Sequence, residues 1–238
     1  MLDTGAQATV IDARAAARAR LHLGRPVELE GRGGYVGARW AQAVTLNLGD
    51  ATGRIDAVVA DLGDEGRAMG VPLDGILGED FLRRFVVTLN YRRQTVTLTP
   101  PQIAPPPPAD AVALRFSALP YARARVVRGD RSVEAEFQID TGSNTAVEFW
   151  APFAQQAFPG VHGAPGAGVG VAGEDAVMRD RIDRLEIAGH GSGPLAVNLA
   201  DQSRPNGAGE DYAGVIGGPA WAGLVLTLDA PRGKLWLR

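Results

Sequence analysis

The sequence predicts a mostly β protein made of two copies of one unit related by a pseudo-twofold axis, with few short helices. Three observations carry this. Asp3-Thr4-Gly5-Ala6 recurs as Asp140-Thr141-Gly142-Ser143, 137 residues further on. From Gly31 the copies run 139 residues apart: Gly31 and Gly34 fall on Gly170 and Gly173, and Leu46-Asn47-Leu48 on Leu185-Glu186-Ile187. At the same offset Ile76-Leu77-Gly78 falls on Val215-Ile216-Gly217, and Thr88-Leu89-Asn90 on Thr227-Leu228-Asp229. A self-match sustained this far, with only a two-residue insertion between its registers, marks a duplicated unit. The third observation is the strict alternation of apolar and polar residues in Val133-Glu134-Ala135-Glu136-Phe137-Gln138-Ile139, the period of a strand with one buried face.

In chain order, only Met1 and Leu2 precede the first Asp-Thr-Gly, whereas two strands of sequence, Ala122 to Ile139, precede the second. The first copy is therefore expected to lack its opening strand, as in a chain that starts late, and Asp3 to be tethered by little besides Leu2. Asp12 to Arg20, rich in alanine and arginine, is the best helix candidate, and Asp80 to Phe85 a shorter one. Each copy closes on a hairpin pattern: Phe85 to Asn90 with Thr95 to Leu98, then Leu224 to Asp229 with Lys234 to Leu237, where Pro231 and Gly233 supply the turn. Between them, Pro100-Pro101-Gln102-Ile103-Ala104-Pro105-Pro106-Pro107-Pro108 cannot donate ladder hydrogen bonds at its prolines and favours extended polyproline geometry. It divides the chain into an N-terminal lobe, 1–99, a linker, 100–110, and a C-terminal lobe, 111–238.

Bulk properties remove several classes. At 238 residues the chain can form two lobes of about 100 residues, each with a real core. The formal net charge of -3 comes from interspersed residues of both signs, so there is no basic stripe to suit nucleic acid or anionic lipid. Without cysteine there is no disulfide framework, thiolate nucleophile or cysteine-type zinc site. His22, His162 and His190 lie at no metal-ligand spacing, so neither a metal nor a cofactor is expected. No apolar run approaches the roughly 18 residues of a membrane helix, and Met1-Leu2-Asp3 has neither the charged nor the apolar region of a signal peptide.

Two carboxylates forced to about 3 Å cannot both ionise, so one serves as acid and the other as base. Such a pair can hold a water, take its proton as it attacks a peptide carbonyl, and return a proton to the leaving amine. Asp3 and Asp140 are the candidate pair. Gly5 and Gly142 let backbone approach the carboxylates and donate to them, while the hydroxyls of Thr4 and Thr141 can brace the loops across the pair. Ser143 stands opposite Ala6, and its hydroxyl is expected to favour the ionised form of Asp140, making it the more acidic member of a jointly titrating pair.

Asp-Thr-Gly followed by Ala or Ser, then roughly 75 residues later by two apolar residues and a glycine, twice in one chain, resembles the pepsin and retropepsin class of aspartic peptidases. Ile76-Leu77-Gly78-Glu79-Asp80-Phe81-Leu82-Arg83-Arg84-Phe85 is similar to that family's signature, and the overall spacing resembles bacterial retropepsin-like proteins. The resemblance covers nearly the whole chain. It implies two homologous retropepsin-like β-barrel lobes with Asp3 and Asp140 on the floor of the cleft between them. It further implies glycine-rich flaps at residues 29–40 and 168–178 closing over an extended peptide, with Gly34 and Tyr35 at the first and Ala172 and Gly173 at the second. The partner implied is a peptide or protein substrate with apolar residues flanking the cut, not nucleic acid, and one chain supplies both halves as a monomer. Proteins of this bacterial type often act outside the cytoplasm, which points to the periplasm or export, with a signal or anchor lying upstream.

Competing readings are weaker. Asp and Gly are common in turns, but a structural turn explains neither the repeat nor the matched Ile-Leu-Gly. Gly168-Val169-Gly170-Val171-Ala172-Gly173 spells a dinucleotide fingerprint, yet prolines and glycines precede it where a strand is required, and Glu174 and Asp175 follow where phosphate would sit. Gly189-His190-Gly191-Ser192-Gly193 is not a nucleophile elbow. The arginines of the first helix solvate its outer face. The serious alternative is a catalytically inactive module of the same fold that binds peptides.

Overall fold

The computed structural model describes residues 1–31, 34–170, 173–200 and 212–238, and strands dominate it. The first half runs β1 (Val10–Asp12), α1 (Ala13–Arg18), β2 (Leu23–Gly31), β3 (Gly34–Leu48), β4 (Ala51–Ala60), α2 (Gly63–Met69), β5 (Gly75–Ile76), α3 (Glu79–Leu82), β6 (Val86–Asn90) and β7 (Thr95–Thr99). Four strands follow: β8 (Val112–Ala113), β9 (Arg115–Phe116), β10 (Pro120–Arg128) and β11 (Arg131–Asp140). The first succession then returns as β12 (Val147–Trp150), α4 (Ala151–Ala157), β13 (Ala164–Gly170), β14 (Gly173–Ile182), β15 (Arg184–Ile187), β16 (His190–Ser192), β17 (Leu195–Ala200) and β18 (Gly214–Gly217). A 3-10 turn at Gly218–Trp221, then β19 (Val225–Asp229) and β20 (Lys234–Leu237), complete it.

Pairing repeats with order. β1 lies parallel to β4 and antiparallel to β5, as β12 lies parallel to β17 and antiparallel to β18. The β2–β3 hairpin ends with Gly31 opposite Gly34, and the β13–β14 hairpin with Gly170 opposite Gly173. A third sheet, ordered β7-β6-β19-β20-β8, takes strands from both halves. At its centre Thr88 pairs with Thr227, its counterpart at the 139-residue offset, and their hydroxyl oxygens stand 3.2 Å apart. An antiparallel pair centred on two threonines has a local twofold axis through that point.

Alternation explains how the sheets bury themselves. Along β11, Phe137 and Ile139 face the main core while Gln138 and Asp140 take the other side. The core is continuous across the halves, joining Ala57, Val59 and Phe81 to Phe137, Phe149 and Trp221. Phe137, Phe149, Phe153 and Phe158 add edge and tilted ring contacts with centroids 5.5 to 6.3 Å apart, a spacing that suits aromatic quadrupoles.

The helix expected over Asp12 to Arg20 forms as α1, with Asp12 as its cap: Oδ1 accepts the N–H of Arg14 at 3.0 Å and of Ala15 at 3.3 Å. The helix expected at Asp80 to Phe85 starts one residue earlier as α3 and is only a single turn. Helices α2 and α4 were not foreseen; glycines in α2 and a proline at the start of α4 hide them from propensity, while α4 rests Ala154 and Ala157 on the core. The proline-rich segment is less extended than its composition predicts. Ile103 and Ala104 N–H both donate to the Pro100 carbonyl, and the Arg232 guanidinium donates to the carbonyls of Pro101, Ala104 and Pro105.

Asp12 does more than cap, because its Oδ2 accepts the Leu62 N–H at 3.1 Å and ties α1 to the end of β4. Burial opposes its charge, but the Leu62, Arg14 and Ala15 amides prevail and hold its carboxyl below the ordinary range. Asp12→Ala is expected to cost about 2–3 kcal/mol in urea unfolding at neutral pH, from a lost cap and an orphaned buried amide. The difference should shrink in acid, as pH falls through the depressed carboxyl pKa and the parent loses the same stabilisation.

Candidate active site

The first Asp-Thr-Gly is held more firmly than two preceding residues suggest. The Met1 amino group donates to the Gly75 carbonyl at 2.8 Å, Leu77 N–H to the Met1 carbonyl at 2.9 Å, and Asp3 N–H to the Leu77 carbonyl at 3.0 Å. Leu2 thus bridges Leu77 in parallel, as Ile139 pairs in parallel with Ile216 in the second half. The expectation that Leu2 alone tethers Asp3 is corrected by these bonds.

Both loops then turn in the same way. Gly5 N–H donates to Asp3 Oδ1 at 2.7 Å, and Gly142 N–H to Asp140 Oδ1 at 2.8 Å. The threonines cross over. Thr4 Oγ1 donates to the Ile139 carbonyl at 2.6 Å and accepts the Thr141 N–H at 3.0 Å, while Thr141 Oγ1 donates to the Leu2 carbonyl at 3.2 Å and accepts the Thr4 N–H at 3.1 Å. Four hydrogen bonds, reciprocal in residue and role, therefore lock loop to loop, and Thr4 is 1% exposed.

This lock brings the carboxyl groups of Asp3 and Asp140 together, so that each acts on the titration of the other. Each also lies against the opposite glycine: a Cβ on Gly5 would stand 2.5 Å from Asp140 Oδ2, and one on Gly142 2.5 Å from Asp3 Oδ1. No side chain fits there, which is the physical reason for the third residue of the motif. Burial raises the pKa of both acids, and the two titrate as one pair. The pair therefore retains a proton well above the ordinary carboxylate range.

The expected effect of Ser143 is not found. Its hydroxyl donates to the Thr145 carbonyl at 3.4 Å and accepts the Thr145 N–H at 3.2 Å; only its backbone N–H reaches Asp140, at 3.0 Å. With the hydroxyl engaged in its own turn, it makes no hydrogen bond to the Asp140 carboxyl.

The surroundings differ on the two sides. Beside Asp3, an aliphatic cluster of Val10, Val58, Leu73 and Ile76 runs from Ala6 and Ala8 of the loop to Val27 and Leu29 of the β2–β3 hairpin. On the second half the comparable face carries Tyr121, Trp150 and Tyr212, with ring centroids 5.1 and 5.9 Å apart. Tyr91, just beyond β6, is pushed up to about 12 by burial and by the negative charge of Asp140, so the third sheet ends near the pair.

Of the expected hairpin residues, Gly34 opens β3 and Tyr35 is 67% exposed, bonded to Glu30, whose charge raises its hydroxyl pKa. Gly173 opens β14 opposite Gly170; Ala172 lies outside the described residues. Among the described residues no group of three or more His, Asp or Glu is placed to hold a metal. Two residues that sequence reasoning passed over stand behind the Asp3 loop. Thr9 and Asp80 hydrogen-bond twice, and the acidic pair directly after Ile76-Leu77-Gly78 was the available signal. Glu79 beside it is buried, and its Oε2 has no partner among the described residues.

Comparison with known proteins adds one family. A family model described as aspartyl protease matches residues 1–81. Among solved structures, the crystal structure of basic 7S globulin from soybean aligns with a TM-score of 0.39 at 10% identity, covering 98% of this chain and 85% of that one. No curated protein matches the chain.

Two outcomes test this geometry. Gly142→Ala should cost about 1–3 kcal/mol in urea unfolding, because the methyl overlaps the Asp3 carboxyl; an unchanged midpoint would show that the loops are not in contact. Burial holds the Glu79 pKa at about 8 against an ordinary 4.5, offset by Arg83 and reinforced by Asp80. A raised acid stabilises fully below its unfolded pKa, and that stabilisation is lost as pH climbs through the window up to about 8. Glu79→Gln should therefore gain stability on the parent progressively from pH 5 to 8, read as diverging thermal midpoints.

Proposed function

We propose that this protein is an aspartic endopeptidase that hydrolyses peptide bonds with a water activated between Asp3 and Asp140. The observation that carries the proposal is the part-buried carboxyl pair, each acid packed against the facing loop's glycine and fixed by reciprocal threonine bonds. The aspartyl protease match over the first motif supports the same reading. In this reading 1–99 and 111–238 are lobes derived by duplication, 100–110 links them, and one chain forms the whole site as a monomer. The β2–β3 and β13–β14 hairpins, with Gly34, Tyr35, Ala172 and Gly173, cover an extended peptide or protein substrate, and the expected place of action remains outside the cytoplasm.

The chemistry follows from the pair's single proton. The ionised carboxylate takes a proton from the water as it attacks the scissile carbonyl, and the protonated partner donates to the carbonyl oxygen. The tetrahedral diol then collapses as the carboxyl proton passes to the leaving amine and one diol hydroxyl gives its proton to the other carboxylate, which restores the pair's single proton. The glycine amides at Asp3 and Asp140 hold the carboxyl oxygens in place, so little reorganisation is needed at the moment of reaction.

Assay of a peptide library is expected to give cleavage with an acid and an alkaline limb, both belonging to the pair. Asp3→Asn and Asp140→Asn should each abolish turnover, since an amide cannot accept the water's proton, while both variants stay folded because one of two repelling carboxyls has gone. A pepstatin-type inhibitor should block cleavage and a chelator should not. Cleavage that survives either substitution, or that stops on chelation, rejects the proposal. Binding of the same peptides without turnover would identify the inactive peptide-binding module instead.

A further inference from the structure

The two Asp-Thr-Gly loops are anchored to their apolar-apolar-Gly strands by different means. In the second half Gly217 N–H donates to the Ala146 carbonyl at 3.0 Å and Gly218 N–H to the Ser143 carbonyl at 2.9 Å. The first half keeps the second of these bonds, as Glu79 N–H to the Ala6 carbonyl at 2.8 Å. The first is replaced. Gly78 N–H goes to the hydroxyl of Thr9 at 3.1 Å. A hydroxyl that accepts must direct its own proton elsewhere, and Thr9 Oγ1 donates to Asp80 Oδ1 at 2.7 Å while Thr9 N–H donates to Asp80 Oδ2 at 2.9 Å. Asp80 N–H closes the arrangement on the Gln7 carbonyl at 3.2 Å. At the repeat position of Asp80 stands Pro219, which has no side-chain acceptor.

This relay ends one residue from the support of Asp3, because the Leu77 carbonyl accepts the Asp3 N–H at 3.0 Å. Releasing Gly78 lets the Leu77 peptide turn and Asp3 move with it, whereas Asp140 hangs from backbone bonds and a long strand. Thr9 is 3% exposed, so water does not readily replace Asp80.

We infer that Asp80, acting through Thr9 on Gly78, is a positioning residue for Asp3; as a statement about rate, this rests on the peptidase reading above. Displacement of a catalytic group by an ångström can cost about 100-fold in rate. Asp80→Ala and Thr9→Val are therefore expected to lower kcat by roughly 10 to 100-fold with little change in KM, and the double variant to be no worse than the poorer single one. Asp80→Asn and Thr9→Ser should recover most of the rate. With its amide oxygen toward Thr9 Oγ1, asparagine still accepts the hydroxyl proton on which the relay depends, and serine keeps the hydroxyl. Independently of turnover, carbon-13 carboxyl titration of the Asp3 and Asp140 pair should shift in the Ala and Val variants and return in the Asn and Ser ones.

A lowered thermal midpoint with unaltered kcat and carboxyl titration would reduce Asp80 to ordinary support and overturn the inference. So would an Asn variant as impaired as the Ala one. If the parent cuts no peptide but its carboxyl titration still follows Asp80 and Thr9 in this pattern, the positioning role stands and the peptidase reading falls.

Discussion

Four hydrogen bonds between Thr4, Thr141 and the carbonyls of Leu2 and Ile139 oppose an electrostatic cost that would otherwise separate the halves. Two carboxyls in one part-buried place repel each other and lose solvation, so the pair exists only if something else fixes both loops and if the pair keeps a proton. The threonines do the first by placing a buried donor and acceptor of each loop on the other. The raised pKa of the Asp3 and Asp140 pair expresses the second. Glycine at the third position follows from the same constraint, since each carboxyl fills the space where the facing loop would carry a side chain.

The shared sheet and the common core make that constraint affordable over the whole molecule. Thr88 against Thr227 sets a local axis, and strands from both halves continue outward from it. With the halves joined there and through the continuous apolar core, the loops meet without flexible travel. The linker adds to this, because Arg232 binds three of its carbonyls instead of leaving it as a free spacer.

Repetition of the frame makes the differences informative. The side of Asp3 is flanked by aliphatic residues and braced by the Asp80 carboxylate, while the side of Asp140 carries Tyr121, Trp150 and Tyr212 and is braced by backbone. Two chemically identical acids consequently stand in unlike settings, which suits a pair whose members must hold different protonation states.

The mostly β class and the positions of the two motifs were legible in the sequence, because strand alternation and a repeat are local patterns of residue type. That Asp3, Thr4 and Gly5 would meet Asp140, Thr141 and Gly142 was legible from the two matching motifs and from the family they resemble. The Ser143 hydroxyl misled because whether it reaches a carboxyl depends on its rotamer, and Thr145, two residues on, offered a closer partner. The hold on Met1 and Leu2 was hidden in Gly75 and Leu77, more than 70 residues away. By itself the sequence determined the class, the repeat and the candidate acids. Only the tertiary structure decided the threonine lock, the packing of each carboxyl on the facing glycine and the Thr9 to Asp80 relay, since each depends on distances between segments far apart in the chain.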